Sequence, residues 1–549
     1  MLTLSERLER AATRGHALTF VVGGEPVAVP YAQLHEEARG YAANLQRLGV
    51  RPGDHVALLG PTSRPLATAI QAVWLAGATV VVLPLPMRMS SIEEFVAQTR
   101  TRIANADVTL VLVDPELAPF VEPTPDDPPM VGWDALDPAT APACSIDWVR
   151  PPADLDSLAI LQFTSGSTSD PKGVMLPHRT VGANLDAIAT ATSLDPDDDV
   201  LVSWLPLYHD MGLVGLFTLG VTSGTPLVLG APTDFTSSPG RWMEWISTYG
   251  GTATAGPNFS YVLAARALGR GDQLDLSRLR IALNGAEPVD PATVHRFLEA
   301  GERHGLRPGA VFPAFGMAEI AIAGTFPEPM SGLRTDPVDL AVLEAERYAS
   351  PISSDHERAR HLAILGRPVE GLEIRIVDPI TGAVLGERGV GELEIRGTSV
   401  TPGYYKRPDA NIELFHDGWL RTGDLAYLLD GEMVMCGRIK DMIIVGGRNV
   451  FPEDIERALA DIDGVRAGNV IAFGVDLQGK EGVVVVAESK SDDLPEVRRS
   501  VAARVRDAIG LPAKDIVLVA PGSLPKTSSG KLQRSLCKVR YLGAELQLV

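Results

Sequence analysis

Basic charge and cysteine are both scarce in this chain of 549 residues. The formal net charge is −20, so no basic surplus is available to displace the counterions of a nucleic acid. The three cysteines, Cys144, Cys436 and Cys537, lie far apart and form no CxxC pair. That pattern fits a reducing compartment and gives no zinc site. We therefore expect a protein with no nucleic-acid partner and no structural zinc.

Long apolar runs are also missing. The most membrane-like stretch, residues 65–87, is interrupted by Gln71, Gly77 and two prolines, and it predicts a buried helix followed by a buried strand. Residues 1–10 predict the start of an amphipathic helix, without the apolar core of a signal peptide. We expect a cytoplasmic protein with no membrane span, long enough for two or more domains.

Apolar strands alternate with helical patterns through the first third of the chain. The predicted strands cover residues 55–60, 79–83, 108–113 and 158–162. Strands alternating with helices predict a mostly parallel sheet with helices on both faces. Residues 116–152, rich in Pro and Asp, are predicted to be surface loop.

A loop rich in hydroxyl groups, residues 163–173, follows the last of these strands. Its five Ser and Thr side chains, two glycines and Lys172 can place N–H and O–H donors around a polyphosphate. Gly173 stands where a Walker A loop has Ser or Thr, so it is not that motif. The alternative is a mobile Ser/Gly linker.

Three further strand ends carry polar groups. A strand from Val200 runs into Tyr208-His209-Asp210, which is either structural or part of a ligand crevice at the sheet edge. Residues 280–288 and 310–319 each predict a strand followed by a glycine-containing turn, suited to the flat face of an aromatic base. The alternative for both is an ordinary strand-to-helix turn.

The second half of the chain changes character. Residues 325–361 are polar and predict helix, and residues 362–437 predict a small β-barrel or distorted antiparallel sheet with a hairpin at Asp430-Gly431. A new unit is predicted at residues 438–549. The fold class is therefore α/β: a large N-terminal domain, residues 1–437, of parallel-sheet α/β subdomains plus a small β-barrel, and a smaller α+β C-terminal domain.

Five motifs occur in order along the chain. They are Thr164-Ser-Gly-Ser-Thr-x-x-Pro-Lys-Gly173, Phe315-Gly-Met-Ala-Glu319, Thr422-Gly-Asp424, Gly437-Arg-x-Lys440 and Pro525-Lys-Thr-x-x-Gly-Lys531. Together they closely resemble the adenylate-forming (acyl-activating) superfamily of acyl-CoA synthetases, adenylation domains and luciferases. Within it the chain looks most like the fatty acyl-AMP ligases.

The likeness to that subgroup rests on five other segments. They are residues 204–213, 256–259, 284–288, 366–368 and 446–456. The polar stretch 325–361 sits where the ligases resemble one another in carrying an extra insertion. Phe315 and Ala318 depart from the Tyr and Thr commoner in the wider superfamily, which weakens a generic CoA-ligase interpretation.

The resemblance implies an enzyme that uses ATP and Mg²⁺ to turn a fatty acid into an acyl-adenylate and pyrophosphate. A phosphopantetheine thiol of an acyl carrier protein then takes the acyl group. The implied nucleotide-binding residues are Thr164, Ser165, Gly166, Ser167, Thr168, Lys172, Asn284, Gly285, Ala286, Glu287, Phe315, Gly316, Met317, Ala318, Asp424 and Arg438. Of these, Asp424 would accept both ribose hydroxyls, a task for two acceptor oxygens on one side chain.

The resemblance also implies roles for the remaining site residues. Lys531 is the implied catalytic residue, bridging the attacking carboxylate and the α-phosphate, whereas its alternative is a solvated surface lysine. Glu319 would hold Mg²⁺, which prefers one or two carboxylates together with phosphate oxygens. His209 and Asp210 would contact the acyl substrate, and Lys440 would be the hinge of the small domain.

Two other functions stay open at this point. An acyl-CoA synthetase would share the adenylation step and use CoA as acceptor, and a nucleotide-binding relative would have lost catalysis. A carrier protein, typically acidic, needs a basic patch to dock. The candidate cations, whose alternative is a solvated helix face, are Arg498, Arg499, Arg504, Arg506, Arg534, Lys538 and Arg540.

Overall fold

The structure is a computed structural model. It describes residues 1–23, 25–85, 92–121, 123–137, 147–163, 171–445, 448–477, 480–527 and 531–546. Within these ranges, no helix combines the length and apolar character needed to cross a membrane. The predicted phosphate-loop residues Thr164, Ser165, Gly166, Ser167 and Thr168 lie outside the described residues.

The first part of the chain builds a six-stranded sheet in the order β6-β5-β3-β4-β7-β8. Neighbouring strands are parallel except β7 and β8. The elements of this part are α1 (Leu4–Ala12), β1 (Ala17–Phe20), β2 (Val27–Pro30), α2 (Tyr31–Arg47), β3 (His55–Leu59), α3 (Arg64–Leu75), β4 (Thr79–Val82), α4 (Ile92–Asn105), β5 (Val108–Val113), β6 (Met130–Gly132), β7 (Leu158–Phe163) and β8 (Gly173–Pro177).

The next part builds a seven-stranded sheet in the order β13-β12-β11-β9-β10-β1-β2. Its strands are parallel except at the edge pair β1 and β2. Its elements are α5 (His178–Ala191), β9 (Leu201–Ser203), α6 (Leu219–Ser223), β10 (Leu227–Leu229), α7 (Pro232–Ser237), α8 (Gly240–Tyr249), β11 (Ala253–Gly256), α9 (Asn258–Leu268), β12 (Ile281–Asn284), α10 (Pro291–Glu302), β13 (Val311–Pro313), β14 (Phe315–Gly316) and β15 (Ala323–Phe326).

The strands between residues 335 and 438 pair antiparallel. A five-stranded antiparallel sheet runs β19-β20-β22-β21 with β23 beside β22. The elements are β16 (Thr335–Asp339), α11 (Leu340–Glu346), β17 (Ala359–Ala363), β18 (Arg367–Pro368), β19 (Leu372–Val377), β20 (Gly391–Gly397), α12 (Pro408–Leu414), β21 (Phe415–His416), β22 (Trp419–Leu429) and β23 (Glu432–Arg438). The hairpin at Asp430-Gly431 is present, and both residues have positive φ, as such a turn requires.

The last part has its own three-stranded sheet, β26-β27-β28. Its elements are β24 (Ile443–Val445), β25 (Arg448–Val450), α13 (Pro452–Ala458), β26 (Val465–Leu477), β27 (Lys480–Ser489), α14 (Leu494–Ile509), β28 (Asp515–Val519) and α15 (Arg534–Leu542). A separate apolar cluster packs α13 and α14 against these strands. A domain boundary at residue 438 stays a prediction, as does the mobility of this unit.

Two local predictions are wrong in part. The stretch 325–361 is helical only at α11, because β16 and β17 flank that helix and pair with each other. Residues 116–152 are not all loop, since β6 adds a parallel strand beside β5. The three missed strands, β6, β16 and β17, are short, so pairing with a neighbour rather than their own pattern makes them strands.

The parallel strands of the seven-stranded sheet bring the polar strand ends together. Strands β9, β11, β12 and β13 are neighbours and point the same way, so their carboxyl ends open on one edge. Buried Val, Leu, Ile and Ala fill these strands, as expected when helices cover both faces of a sheet. That edge is the usual place for a ligand in an open α/β sheet.

Candidate active site

A cleft of about 2850 Å³ opens at this edge, between the sheets and the last part of the chain. Most of the predicted site residues that the structure describes line it. They are Lys172, His209, Asp210, Gly285, Ala286, Glu287, Phe315, Gly316, Met317, Ala318, Glu319, Asp424, Arg438, Lys440 and Lys531. Lys172 and Lys531, more than 350 positions apart in the sequence, thus share one cavity because the chain folds back on itself.

Asp424 and Arg438 form an ion pair across two hairpin strands. They face each other in the register of β22 and β23, and Arg438 Nε donates to Asp424 Oδ1 at 2.8 Å. Burial raises the pKa of Asp424, while the guanidinium of Arg438 opposes that rise. Asp424 is only 2% exposed, so the pair holds a buried carboxylate at the cleft wall with one oxygen already bound.

Glu319 has a partner that the motif did not reveal. The hydroxyl of Tyr404 donates to Glu319 Oε1 at 2.7 Å. The ring of the same tyrosine lies under the Lys172 ammonium, with Nζ 4.9 Å from its centroid. Burial raises the pKa of Glu319, and the Tyr404 hydrogen bond opposes the rise. The run Pro402-Gly403-Tyr404-Tyr405 was the available sequence signal, a turn followed by two aromatic side chains.

The turn after β12 provides a buried polar wall. Asn284 lies behind the cleft surface, fully buried, and its Nδ2 donates to Asn258 Oδ1 at 3.1 Å. Within the described residues its own Oδ1 has no hydrogen-bond partner. Ala286 has φ +66°, an unfavourable conformation for a residue with a side chain, which functional sites commonly retain. Glu287 accepts the N–H of Phe259 at 3.1 Å, and burial raises its pKa.

The segment Phe315–Glu319 passes close to its neighbours. A Cβ on Gly316 would lie 2.0 Å from the carbonyl oxygen of Ile322, so only glycine fits there. Phe315 and Ala318 are buried, and Met317 is partly exposed to the cleft. This segment is thus a closely packed backbone surface, and its suitability for an aromatic base stays a prediction.

His209 and Asp210 stand at the start of an unusual helix. His209 Nδ1 lies 2.6 Å from Asp210 Oδ1, and residues Met211–Thr218 form a π-helix. Burial would raise the pKa of Asp210, but His209, Lys531 and the Met211 N–H bring it below its ordinary value. The sequence predicts a glycine-rich apolar helix here but not its π-form, which often marks functional sites.

Lys531 reaches the cleft from the other end of the chain. Its N–H donates to Thr527 Oγ1 at 3.1 Å, and its carbonyl accepts the Thr527 N–H at 2.8 Å. Burial lowers the pKa of its ammonium, and Asp210 and Glu287 oppose that fall. The lysine therefore faces carboxylates of the large N-terminal part and is not a solvated surface residue.

Arg534 fixes the segment that carries Lys531. Its guanidinium lies 2.7 Å from Asp441 Oδ2 and 3.0 Å from Glu456 Oε1, and it is mostly buried. Lys440, the predicted hinge residue, lies next to Asp441 in the 3₁₀ turn Ile439–Asp441 that follows β23. Its hinge role stays a prediction.

The acidic residues of the cleft fit a metal ion that binds together with a polyphosphate. No group of three or more His, Cys, Asp or Glu side chains in the described part of the chain could hold a metal alone. Mg²⁺ commonly uses one or two carboxylates plus phosphate oxygens and water, and Glu319 offers one such carboxylate at the cleft wall. The residues present therefore fit a magnesium ion bound together with a polyphosphate.

Comparison with known proteins agrees with this geometry. Residues 8–405 match the model of the AMP-binding enzyme family. The protein Rv1013 of Mycobacterium tuberculosis (strain ATCC 25618 / H37Rv) is 41% identical over 94% of this chain and 96% of its own length. JamA of Moorena producens (strain JHB), named a medium-chain-fatty-acid–[acyl-carrier-protein] ligase, is 32% identical over 96% of this chain and 93% of its own.

A solved structure is similar over the whole chain. It comes from studies of the fatty acyl-adenylate ligases of E. coli and L. pneumophila, and it superposes with a TM-score of 0.92 at 32% identity. The match covers 99% of this chain and 98% of that one. This chain belongs to the AMP-binding family of adenylate-forming enzymes.

Proposed function

We propose that this enzyme joins a fatty acid to AMP and then passes the acyl group to the phosphopantetheine thiol of an acyl carrier protein. In the first step a carboxylate oxygen attacks the α-phosphorus of ATP, and the bond to pyrophosphate breaks. In the second step the thiol sulfur attacks the acyl carbon, and AMP leaves with the bonding electrons.

One observation carries the proposal: the cleft that contains the charged groups is also lined by apolar side chains. These come from α5, β9, α6, β11 and β12, namely Ile188, Leu201, Leu219, Ala253, Ile281 and Leu283. An alkyl chain would bury its surface there, gaining roughly 0.8 kcal/mol for each CH₂ group. The carboxylate at its head would then lie near Lys531.

The charged groups fit the adenylation step. An anion attacking a polyanion needs positive charge and in-line positioning. Lys531 would bridge the attacking carboxylate and the α-phosphate, and Lys172 with residues 164–168 would hold the outer phosphates. Asp424 would accept ribose hydroxyls, the turn residues 285–287 and 315–317 would line the adenine, and Asn284 would support that turn from behind.

Glu319 is the residue that would hold a Mg²⁺ ion bound together with the phosphates of ATP. When bound, the ion would supply positive charge that offsets the negative charge of the phosphates. The protein's own contribution is to bury the Glu319 carboxylate and to orient it through Tyr404.

The choice of a carrier protein over CoA rests on likeness to JamA, whose name states that acceptor. The predicted basic patch gives it less support than expected, because three of its seven cations are already paired. Arg534 binds Asp441 and Glu456, Arg499 pairs with Glu496, and Arg504 pairs with Asp461.

Two assays test the proposal in sequence. ATP–pyrophosphate exchange is measured with a panel of carboxylic acids from short to long chain, and we expect exchange with fatty acids. The acyl-adenylate is then offered CoA, holo carrier protein, or apo carrier protein, which lacks the thiol. We expect transfer to the holo form only. Efficient acyl-CoA formation would favour the CoA synthetase, and absence of exchange with every acid would contradict the adenylation step.

A further inference from the structure

Tyr404 connects two groups that the proposed chemistry uses but that lie in different motifs. Its hydroxyl hydrogen-bonds Glu319, and its ring face contacts the Lys172 ammonium. Tyr404 is 8% exposed, and so is Glu319. None of the five motifs contains it.

The backbone around Tyr404 is held from both sides. Tyr404 N–H donates to Asn411 Oδ1 at 2.7 Å, and Asn411 Nδ2 donates to the Tyr404 carbonyl at 3.0 Å. Gly403 has φ +137°, and a Cβ there would lie 2.7 Å from Asn411 Oδ1, so this close approach requires glycine. The tyrosine ring therefore projects from a backbone with little freedom.

The same segment is tied to the strand that follows the phosphate loop. Met175 N–H donates to the Gly403 carbonyl at 3.0 Å, and Tyr405 N–H donates to the Gly173 carbonyl at 2.8 Å. Thr401 N–H donates to the carbonyl of Glu319 at 2.8 Å. Residues 401–405 thus connect Glu319 to the chain immediately after Lys172.

We propose that Tyr404 is a positioning residue for Mg²⁺·ATP, fixing the Glu319 carboxylate through its hydroxyl and the Lys172 ammonium through its ring. This inference rests on the proposed use of Mg²⁺·ATP. The Tyr404 hydroxyl donates to Oε1 of Glu319 and so fixes the orientation of the carboxylate. Oε2 is then the oxygen that would hold the metal. The Tyr404 hydroxyl replaces a hydrogen bond to water that the Glu319 carboxylate loses on burial. Without this donor the buried carboxylate would be destabilised.

Outer partners of a metal-binding side chain commonly change metal affinity by 10- to 100-fold, which sets the expected effect. Tyr404→Phe keeps the ring beneath Lys172 and the backbone bonds to Asn411, and removes only the hydroxyl. Tyr405→Phe is the matched control, because its hydroxyl donates to the surface residue Asp107 at 2.9 Å instead. Thermal unfolding without ligand checks that both variants fold.

The main measurement contains no fatty acid. Mn²⁺ replaces Mg²⁺, and its binding to the full chain in the presence of ATP is followed by electron paramagnetic resonance. We expect Tyr404→Phe to raise the Mn²⁺ concentration at half-saturation about tenfold or more, and Tyr405→Phe to leave it unchanged. Equal Mn²⁺ binding by wild type and Tyr404→Phe would overturn the proposal.

A double-mutant cycle with Glu319→Gln separates positioning from a general packing effect. If Tyr404 acts through Glu319, Tyr404→Phe adds no further loss of Mn²⁺ binding once the carboxylate is gone. Fully additive losses would refute the assignment. Because no acid is present, this result stands even if pyrophosphate exchange fails and the proposed acyl substrate is wrong.

Discussion

The large N-terminal part and the segment carrying Lys531 contribute to the same cleft but are held in place differently. Glu319 and Asp424 are fixed by direct hydrogen bonds from Tyr404 and Arg438 within one part of the chain. Lys531 instead belongs to a unit with its own apolar core, so its position depends on how that unit docks.

The contacts between the two parts include several ion pairs beside the apolar packing of Phe451. Arg448 pairs with Glu344 of α11, Arg457 lies 3.7 Å from Asp290, and Asp454 lies 2.9 Å from Arg360. The side chains of Arg448 and Arg457 are 40% and 39% exposed, so water and salt weaken these pairs. The acidic wall is therefore held by hydrogen bonds close to it, whereas the position of Lys531 depends on contacts between the large N-terminal part and the last unit.

The largest effect should follow loss of the Lys531 ammonium group. Lys531→Ala is expected to lower pyrophosphate exchange by about a thousandfold or more, since no other group would bridge carboxylate and α-phosphate. Thermal unfolding should be unchanged. Lys538→Ala, on α15 outside the site, is the control and should retain activity. Near wild-type pyrophosphate exchange in Lys531→Ala would contradict the proposed role of Lys531 in adenylation.

The second effect concerns the hinge. Lys440→Pro restricts φ at the 3₁₀ turn and should lower transfer to the thiol about tenfold more than it lowers adenylation. Single-turnover rates of the two steps measure this difference. Lys440→Ala is the control, because it removes the charge and keeps the backbone freedom. Equal loss of both steps in the proline variant would argue against a hinge at this position.

The smallest effect should come from the docking surface. Glu344→Gln weakens the ion pair with Arg448, which is worth about 1 kcal/mol. The rate of adenylation should therefore fall about fivefold, whereas the rate of acyl transfer to the thiol should not change. The control is Glu346→Gln, on the same helix but exposed. Combining Glu344→Gln with Arg448→Met should add nothing further. An additive loss would show that the two side chains do not act as a pair.

Much of the site was predictable because its residues lie in short local motifs. The strand-to-turn segments around Asn284 and Phe315 both line or back the cleft, as expected from parallel strands whose carboxyl ends share an edge. The hairpin at Asp430-Gly431 was also predictable, because the turn conformation strongly restricts residue type.

Other features depended on partners distant in sequence. Tyr404 lies 85 positions from Glu319, and no local periodicity indicates that its hydroxyl faces that carboxylate. Strands β6 and β16 were missed because their own residues favour strand weakly and only pairing decides them. Arg504 and Arg534 of the predicted basic patch likewise gain their carboxylates from packing, whereas Arg499 pairs locally with Glu496 on the same helix.

The sequence by itself determined which groups could handle a carboxylate, a polyphosphate and a metal, since residue types and short spacings carry that information. Only the tertiary structure decided that Lys531 faces Asp210 and Glu287, and that Tyr404 sits between Glu319 and Lys172. The physical reason is that hydrogen bonds and charge interactions act over a few ångströms of space. Folding brings those atoms together across hundreds of residues, and no local pattern records it.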